Sequence, residues 1–270
     1  MAEATVVREL QSRAADLRRH VVSIAEAQRS HLGGSMSSAD LMAVLFFRVL
    51  RFDAGGKAHD HFLLSKGHAV HVFHACMVEL EQIAASELPL SGTSGSRLGG
   101  HPTFRAPGVE FATGSLGHAL SVGVGMALGE ALNRSDKRTV VLLGDGELQE
   151  GSVWEAALCA PHFGLNRLIA IVDANEFQAS GSTAKVMQVE PIADKWRAFG
   201  WNAIEIDGHD MAAVVDAMDS AWNAQQPTAI VAHTVKGKGV PGVEGTGRAH
   251  YTRLTPEEAE ATLASLGTTR

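Results

Sequence analysis

Short apolar segments alternate with helix-forming segments through most of this chain of 270 residues. The apolar segments cover residues 62–65, 139–143, 168–172, 203–206 and 228–232. Such segments are almost free of polar side chains, which is typical of parallel strands covered by helices on both faces. The alternation therefore predicts an α/β fold of three layers, αβα, with a central parallel sheet.

Helices are predicted before and between these strands, and apolar residues at helical spacing indicate an amphipathic helix over residues 6–27. The other predicted helices cover residues 39–49, 69–80, 116–132, 151–160 and 211–222. Ser38 is expected to cap the helix that begins at residue 39. Residues 30–35 indicate a glycine-serine break, and residues 86–117 a long loop, which inside a compact domain usually has a function. Because no repeat or linker interrupts the pattern, we expect residues 1–270 to form one domain.

The composition excludes several classes of protein. Apolar residues make up 45% of the chain and charged residues 20%, as in ordinary soluble proteins, and no segment has the run of about 18 apolar residues that a membrane helix needs. A net charge of −7 and a pI near 6.0 argue against nucleic acid as the main partner. Cys76 and Cys159 lie in apolar stretches and are expected to be buried thiols in a reducing compartment, so we expect a cytoplasmic protein without a signal peptide.

Polar residues follow three predicted strands, at the edge where open α/β sheets bind ligands. The three clusters are Ser65-Lys66-Gly67-His68, Gly144-Asp145-Gly146 and Asp173-Ala174-Asn175. In the second, backbone N–H groups can hold a phosphate, and the carboxylate can hold a divalent cation bound to the same phosphate. Because Asn175 ends the neighbouring strand, its amide oxygen would lie close to Asp145. This pattern favours a magnesium diphosphate site over the alternative, in which Asp145 caps a helix and Asn175 makes a turn.

The sequence from residue 144 to 151, GDGELQEG, followed by Asn175, resembles the thiamine diphosphate motif. More narrowly, the chain resembles the N-terminal half of the transketolase family. The segments that carry this resemblance are SHLGG at 30–34, SKGH at 65–68, GGHP at 99–102, TGSLGH at 113–118, GWN at 200–202, DGHD at 207–210 and TVKGKG at 234–239. The resemblance implies a three-layer αβα thiamine diphosphate-binding fold, and the smaller subunit of a split transketolase made of two polypeptides.

The resemblance also implies an activity. A transketolase moves a two-carbon ketol unit from a ketose phosphate to an aldose or aldose phosphate, and thiamine diphosphate supplies the carbanion. The expected metal is Mg²⁺, or Ca²⁺ or Mn²⁺ in its place. In this family, the glutamate that ionises the aminopyrimidine lies on a pyrimidine domain that the sequence does not contain. We therefore expect a C-terminal partner subunit with the pyrimidine domain and a third domain, an α2β2 heterotetramer, and no turnover by this chain alone.

The resemblance assigns roles to individual residues. The histidines expected to face the sugar hydroxyls and to move protons are His31, His101 and His250. The residues expected to bind the cofactor are His68, Gly114, Ser115, Leu116, Gly144, Gly146, Glu147 and Asn175. The expected metal ligands are Asp145, Asn175 and the main-chain carbonyl of Phe177. Glu150 and Glu155 are expected to join the two active sites of a dimer through hydrogen bonds and water.

The sequence departs from the family pattern at three positions. Leu32 replaces the usual proline after the first histidine, Ala174 replaces the usual Asn or Asp before Asn175, and Tyr251 replaces the usual glycine after His250. The amide ligand survives these changes, so metal binding is still expected. The substrate stays open, between ordinary pentose phosphates and branched, deoxy or sulfonated sugars.

Two other functions remain open from the sequence. One is another thiamine-dependent carboligase, of the deoxyxylulose phosphate synthase or 2-oxoacid dehydrogenase E1 type, although the GGHP and TGSLG segments favour transketolase. The other is a non-catalytic, cofactor-binding regulatory subunit. Two apparent motifs are set aside: His68, His71 and His74 diverge around a helix and form no metal face, and residues 123–125 lack the dinucleotide-binding spacing and indicate close helix packing.

Overall fold

The computed structural model describes residues 2–53 and 56–267. The described strands are β1 (His61–Leu64), β2 (Thr139–Gly144), β3 (Leu168–Ala174), β4 (Phe177–Gln178), β5 (Gly181–Ser182), β6 (Asn202–Asp207) and β7 (Thr228–His233). Five of them form one parallel sheet in the order β1-β2-β3-β7-β6, and β4 and β5 pair as a small antiparallel hairpin. Each of the five predicted strands is confirmed within two residues at either end.

The described α-helices are α1 (Ala4–Ala27), α2 (Leu32–Ser37), α3 (Ala39–Val44), α4 (Val70–Glu79), α5 (Ala119–Leu132), α6 (Gly151–His162), α7 (Thr183–Val186), α8 (Ile192–Ala198), α9 (Met211–Trp222) and α10 (Pro256–Ser265). One π-helical turn, Leu45–Val49, continues α3. The predicted helices over 6–27, 69–80, 151–160 and 211–222 are confirmed within two residues, whereas α5 begins three residues later than predicted.

The prediction of a glycine-serine break at residues 30–35 was wrong, because this segment leads into helix α2. Gly33 is needed for close packing: a Cβ atom there would lie 2.5 Å from the carbonyl oxygen of Ala249. The predicted cap at Ser38 was also wrong, since its hydroxyl donates to the Gly34 carbonyl oxygen at 2.7 Å and caps no N–H group. Small residues therefore bring α2 close to the C-terminal part of the chain.

The apolar side chains of the strands divide between the two faces of the sheet, as the alternation along a strand requires. Val140 and Leu142 of β2 pack in a core with α1, α3, α4 and α9. Val141 and Leu143 face the opposite way, into a second core with α5, α6 and α8. Because helices cover both faces, the sheet is the middle of three layers, which confirms the predicted fold class.

The strand order has a switch point between β3 and β7. These strands are neighbours in the sheet, although residues 175–227 separate them in the chain. The chain leaves β3, reaches the far edge at β6, and returns through α9 to β7. The carboxyl ends of strands at such a switch point leave a crevice in which open parallel sheets bind ligands.

Both cysteines are free thiols. Cys76 of α4 is fully buried, as predicted. The prediction was wrong for Cys159, which is half-buried because it lies near the outer face of α6. Among the described residues, no helix has the length and hydropathy needed to cross a membrane.

Helix α5 packs closely on the sheet at Gly123, which supports the packing interpretation of residues 123–125 for Gly123 but not for Gly125. A Cβ atom at Gly123 would lie 2.8 Å from Cγ2 of Val141, whereas no atom lies within 4 Å of the corresponding position at Gly125. Gly125 is exposed on the same helix. The two glycines therefore differ in the space that a side chain would find.

We predict that Gly123→Leu lowers the free energy of unfolding by about 2–3 kcal/mol, because the new side chain overpacks the contact with β2. The same change at Gly125 should raise it by up to about 1 kcal/mol through helix propensity. Urea unfolding of both variants measures the difference. Equal effects of the two substitutions would show that α5 does not pack on the sheet through Gly123.

Two histidines of α4 are buried with unpaired ring nitrogens. Among the described residues, Nδ1 of His71 and both nitrogens of His74 have no hydrogen-bond partner, and the two ring centroids are 6.1 Å apart. Burial lowers the pKa of His71 to about 3 and that of His74 to about 4. Both imidazoles are therefore neutral at pH 7 in the folded chain.

We predict that the chain loses stability as the pH falls from about 6.5 to about 4, because the unfolded chain takes up protons that the folded chain excludes. His74→Leu removes one such proton. We compare the free energy of unfolding of His74→Leu with that of the wild type at two pH values. Between pH 7.5 and pH 5, the difference should shift by about 2 kcal/mol in favour of the variant. Urea unfolding across this range measures the difference, and parallel curves for the two proteins would contradict it.

Candidate active site

A cavity of about 320 Å³ lies at the carboxyl ends of β1, β2, β3 and β7. Most of the predicted site residues line it: His31, His68, His101, Gly114, Leu116, Gly144, Asp145, Gly146, Glu147, Glu150, Asn175, Phe177 and His250. Ser115 and Glu155 do not. Ser115 is exposed in the loop beside Gly114, and Glu155 is exposed on α6. The topology thus brings together residues that are up to 219 positions apart, from His31 to His250.

Four imidazoles form one cluster on one side of the cavity. The ring centroid of His31 lies 5.5 Å from that of His101, 5.4 Å from that of His250 and 5.7 Å from that of His68. Burial, together with His101 and Lys236, lowers the pKa of His31 to about 4. Burial also lowers the pKa of the other three rings, that of His250 to about 4. The neutral rings can each donate one hydrogen bond and accept another.

Tyr251 covers the outer side of this cluster. Its ring centroid is 4.8 Å from that of His31, and the guanidinium of Arg29 lies 5.5 Å from the centre of the tyrosine ring. Tyr251 is 48% exposed. The residue that departs from the family pattern therefore lies at the edge of the site, against a predicted catalytic histidine.

Asp173, at the end of β3, is fully buried and joins four segments of the chain. Its Oδ2 accepts hydrogen bonds from Ser37 Oγ at 2.7 Å, from Asn175 Nδ2 at 3.0 Å and from Lys66 Nζ, and its Oδ1 accepts one from Thr234 Oγ1. Burial alone would raise the pKa of Asp173, but the Lys66 ammonium and these hydrogen bonds hold it below its ordinary value. The carboxylate is thus ionised inside the protein.

A second buried lysine faces the cavity. Lys236 Nζ donates to the Phe177 carbonyl oxygen at 2.7 Å and lies 3.0 Å from Nδ1 of His250. Burial, together with the nearby Lys66, lowers the pKa of Lys236 to about 8. The Lys236 ammonium is therefore mainly charged at neutral pH, so this wall of the cavity attracts anions.

The three predicted metal ligands contribute oxygen atoms to the same cavity. Asp145 accepts from the N–H groups of Gly146 at 2.8 Å and Glu176 at 2.6 Å. Asn175 Oδ1 accepts the N–H of Phe177 at 3.2 Å. The cap and the turn that formed the alternative interpretation are therefore present. They leave further acceptor positions on each oxygen, so they do not prevent these oxygens from binding a cation.

The electrostatics of this group suit a cation. Burial and the neighbouring Asp173 raise the pKa of Asp145 to about 6. A positive ion near Asp145 would favour its charged form. The Phe177 carbonyl oxygen already accepts a hydrogen bond from a cation, the Lys236 ammonium.

Glu147 lines the cavity, but its carboxylate is engaged within the protein. Oε1 accepts from Ser65 Oγ and from the Gly117 N–H at 2.8 Å, and Oε2 accepts from the Gly144 N–H at 3.1 Å. Burial raises the pKa of Glu147, and these hydrogen bonds oppose the rise. Glu147 therefore fixes the loop at residues 114–117 against the ends of β1 and β2. Its predicted contact with a cofactor stays a prediction.

Sequence reasoning missed Lys66, Asp173 and Lys236 as site residues. Lys66 and Asp173 were in the strand-end clusters without a role, and Lys236 was in the TVKGKG segment. The available signal was a lysine directly after a buried strand, where charge is costly unless it is paired. The pairing itself is long-range, because 107 positions separate Lys66 from Asp173.

Comparisons with known proteins agree with this geometry. Residues 11–270 match the family described as transketolase, thiamine diphosphate binding domain. The chain is 38% identical over 256 residues to one subunit of the apulose-4-phosphate transketolase of Phocaeicola vulgatus, covering 93% of this chain and 91% of that protein. It is 37% identical over 241 residues to the 6-deoxy-6-sulfo-D-fructose transketolase subunit SqwG of a Clostridium species, covering 87% and 88%.

Solved structures show the same fold. The chain superposes on the transketolase of Pichia stipitis in complex with sedoheptulose 7-phosphate with a TM-score of 0.87 and 28% identity. The superposition covers 98% of this chain but 41% of that protein. The chain thus spans about two fifths of the solved transketolase, and nearly the full length of the two named subunits.

We predict that Lys66→Met lowers the free energy of unfolding by about 3–5 kcal/mol, because it leaves the Asp173 carboxylate buried without a cation. The control is Lys238→Met, since the Lys238–Glu244 pair is partly exposed and should contribute less than about 1 kcal/mol. Adding Asp173→Asn to Lys66→Met should recover part of the loss. Urea unfolding measures all three variants, and a small effect of Lys66→Met would contradict the buried ion pair.

Proposed function

Because this chain belongs to the transketolase family, we propose that it is the thiamine diphosphate-binding subunit of a split transketolase. The complete enzyme would move a two-carbon ketol unit from a ketose phosphate to an aldose or aldose phosphate. Relatives named as transketolase subunits align over about nine tenths of their own length, which supports the split form. We also propose that residues 1–270 form one domain of that enzyme.

The convergence of an anion site and a cation site in one cavity supports this function most directly. We expect Asp145, Asn175 and the Phe177 carbonyl to bind Mg²⁺, or Ca²⁺ or Mn²⁺, since all three are oxygen ligands. The residues expected to hold the diphosphate are Lys66, His68, Gly146 and Lys236. The loop that carries Gly114, Ser115 and Leu116 would lie against the aminopyrimidine end. Gly114 leaves space there, because no atom lies within 4 Å of where its Cβ would be.

The cluster of histidines would bind and orient the sugar. When bound, thiamine diphosphate supplies carbanion chemistry that no side chain can provide. His31, His101 and His250 would donate hydrogen bonds to the sugar hydroxyls and accept the proton of the ketose C3 hydroxyl. The negative charge of a bound diphosphate would raise the pKa of these imidazoles, and so bring them closer to proton exchange at neutral pH.

The two other functions are not favoured. The named relatives are transketolases rather than deoxyxylulose phosphate synthases or 2-oxoacid dehydrogenase subunits. A regulatory subunit without activity would have no need of the complete set of ligand and histidine side chains around the cavity.

A partner chain is part of the proposal. The partner would supply the pyrimidine domain and a third domain, in an α2β2 assembly. Glu150 and Glu155 are exposed at the start of α6, and Leu158 on the same helix is 61% exposed, which supports a contact surface there. The two free thiols fit a reducing compartment such as the cytoplasm.

The substrate class is proposed from the relatives. Their names refer to apulose 4-phosphate and 6-deoxy-6-sulfo-D-fructose, which are sugars with an anionic group. We propose a ketose that carries a terminal phosphate or another anion, with the residues that select it mainly on the partner.

We predict Mg²⁺-dependent binding of thiamine diphosphate, measured by calorimetry on the chain with and without a C-terminal transketolase subunit. Asp145→Ala should weaken binding at least tenfold, because removal of a group at a metal site lowers affinity by about tenfold or more. Asp194→Ala, at a carboxylate that is 69% exposed, is the control and should leave binding unchanged. Absence of binding by the wild type, even with the partner and Mg²⁺ present, would contradict the cofactor assignment.

A further inference from the structure

His209 lies in the turn after β6 and makes two hydrogen bonds that fix its tautomer. Its Nε2 accepts the backbone N–H of Val235 at 2.9 Å, and its Nδ1 lies 2.8 Å from Oδ2 of Asp40. Because Nε2 acts as the acceptor, the ring proton resides on Nδ1 and is donated to Asp40. The imidazole therefore links the helix layer to the segment that follows β7.

Asp40 is itself held firmly. Arg18 of α1 donates to Oδ1 at 3.0 Å and to Oδ2 at 2.6 Å, and also to the Met36 carbonyl oxygen at 3.2 Å. Burial alone would raise the pKa of Asp40, but Arg18 and His209 lower it to about 2. Asp40 is therefore a permanent acceptor for His209, anchored between α1 and α3.

The segment that His209 holds leads directly into the cavity. Val235 precedes Lys236, whose ammonium contacts the Phe177 carbonyl and His250. The turn beside His209 also packs tightly on this segment, since a Cβ atom at Gly208 would lie 2.5 Å from Cγ2 of Thr234. The Gly208 N–H donates to the His233 carbonyl oxygen at 2.8 Å. The DGHD turn and the start of the TVKGKG segment thus form one packed unit.

We propose that His209 is a positioning residue, which holds Lys236 in the place where it binds the cofactor diphosphate. His209 is absent from the cavity lining, so it acts through the Val235 backbone. The Val235 N–H has no other acceptor among the described residues. Loss of the imidazole would free the segment to move and would shift the Lys236 ammonium. This inference rests on the proposed function, because it concerns the site of thiamine diphosphate.

The test measures thiamine diphosphate affinity by calorimetry, on the full chain with a C-terminal transketolase subunit, at saturating Mg²⁺. His209→Leu removes both hydrogen bonds and should weaken binding about tenfold, the size of effect seen when a supporting partner of a site residue is lost. His209→Gln can donate to Asp40 and accept from Val235, so it should restore most of the affinity. Melting temperatures of the cofactor-free variants are recorded in parallel.

A double variant separates positioning from general stability. Lys236→Met should weaken binding, and His209→Leu added to it should cause little further loss, because interacting positions are not additive. Wild-type affinity in His209→Leu, or additive losses in the double variant, would overturn the inference while leaving the proposed function intact. Failure of the wild type to bind would overturn both. If His209→Leu does not fold, His209→Asn is measured instead. The asparagine amide is shorter than the imidazole and reaches only one of the two partners. Unchanged affinity in His209→Asn would also overturn the inference.

Discussion

The buried carboxylate of Asp173 is the interaction on which the arrangement of this site depends. It gathers side chains from α2, from the turn after β1, from the end of β3 and from the segment after β7. An ion in such a place costs several kcal/mol unless it is paired and hydrogen-bonded. Lys66 provides the counter-charge, and three neutral donors complete the shell. The carboxyl ends of the central strands are thereby held in fixed positions before any ligand arrives.

The charges around the cavity are arranged in two groups. Lys236 brings positive charge to one wall, beside the Lys66–Asp173 ion pair, while Asp145, Asn175 and the Phe177 carbonyl bring oxygen atoms to another. A metal diphosphate has both signs of charge and would satisfy both groups at once. The contact between Lys236 and the Phe177 carbonyl shows how close the two groups are, because a cation from one already binds an oxygen of the other. The neutral histidines complete the cavity without adding charge.

The sequence predicted the elements that local pattern determines. Apolar runs located the five strands of the sheet, helical spacing located α1, and the segments that follow predicted strands located α4, α6 and α9. Asp145 and Asn175 were found because each directly follows a strand. The failures have specific causes: Gly33 and Gly34 indicated a break but serve close packing against Ala249, and α8 has only seven residues, too few for a clear period.

The rest of the site could not be predicted, because it depends on contacts between distant positions. No local pattern shows that Lys66 pairs with Asp173, or that His209 accepts the Val235 N–H. Glu147 was assigned to the cofactor from its place in a motif, whereas its carboxylate bonds to Ser65, Gly117 and Gly144. Motif position indicated that these residues belong near the site, and only the fold showed which atoms each of them contacts.

The central claim is that this cavity holds a divalent cation and a diphosphate together. The most direct measurement replaces Mg²⁺ with Mn²⁺ and records electron–nuclear double resonance of the chain with thiamine diphosphate and a C-terminal transketolase subunit. We expect coupling of Mn²⁺ to phosphorus nuclei and to the nitrogen of a ¹⁵N-labelled asparagine amide, lost in Asn175→Ala. A Mn²⁺ ion with a complete water shell and no phosphorus coupling would contradict the claim.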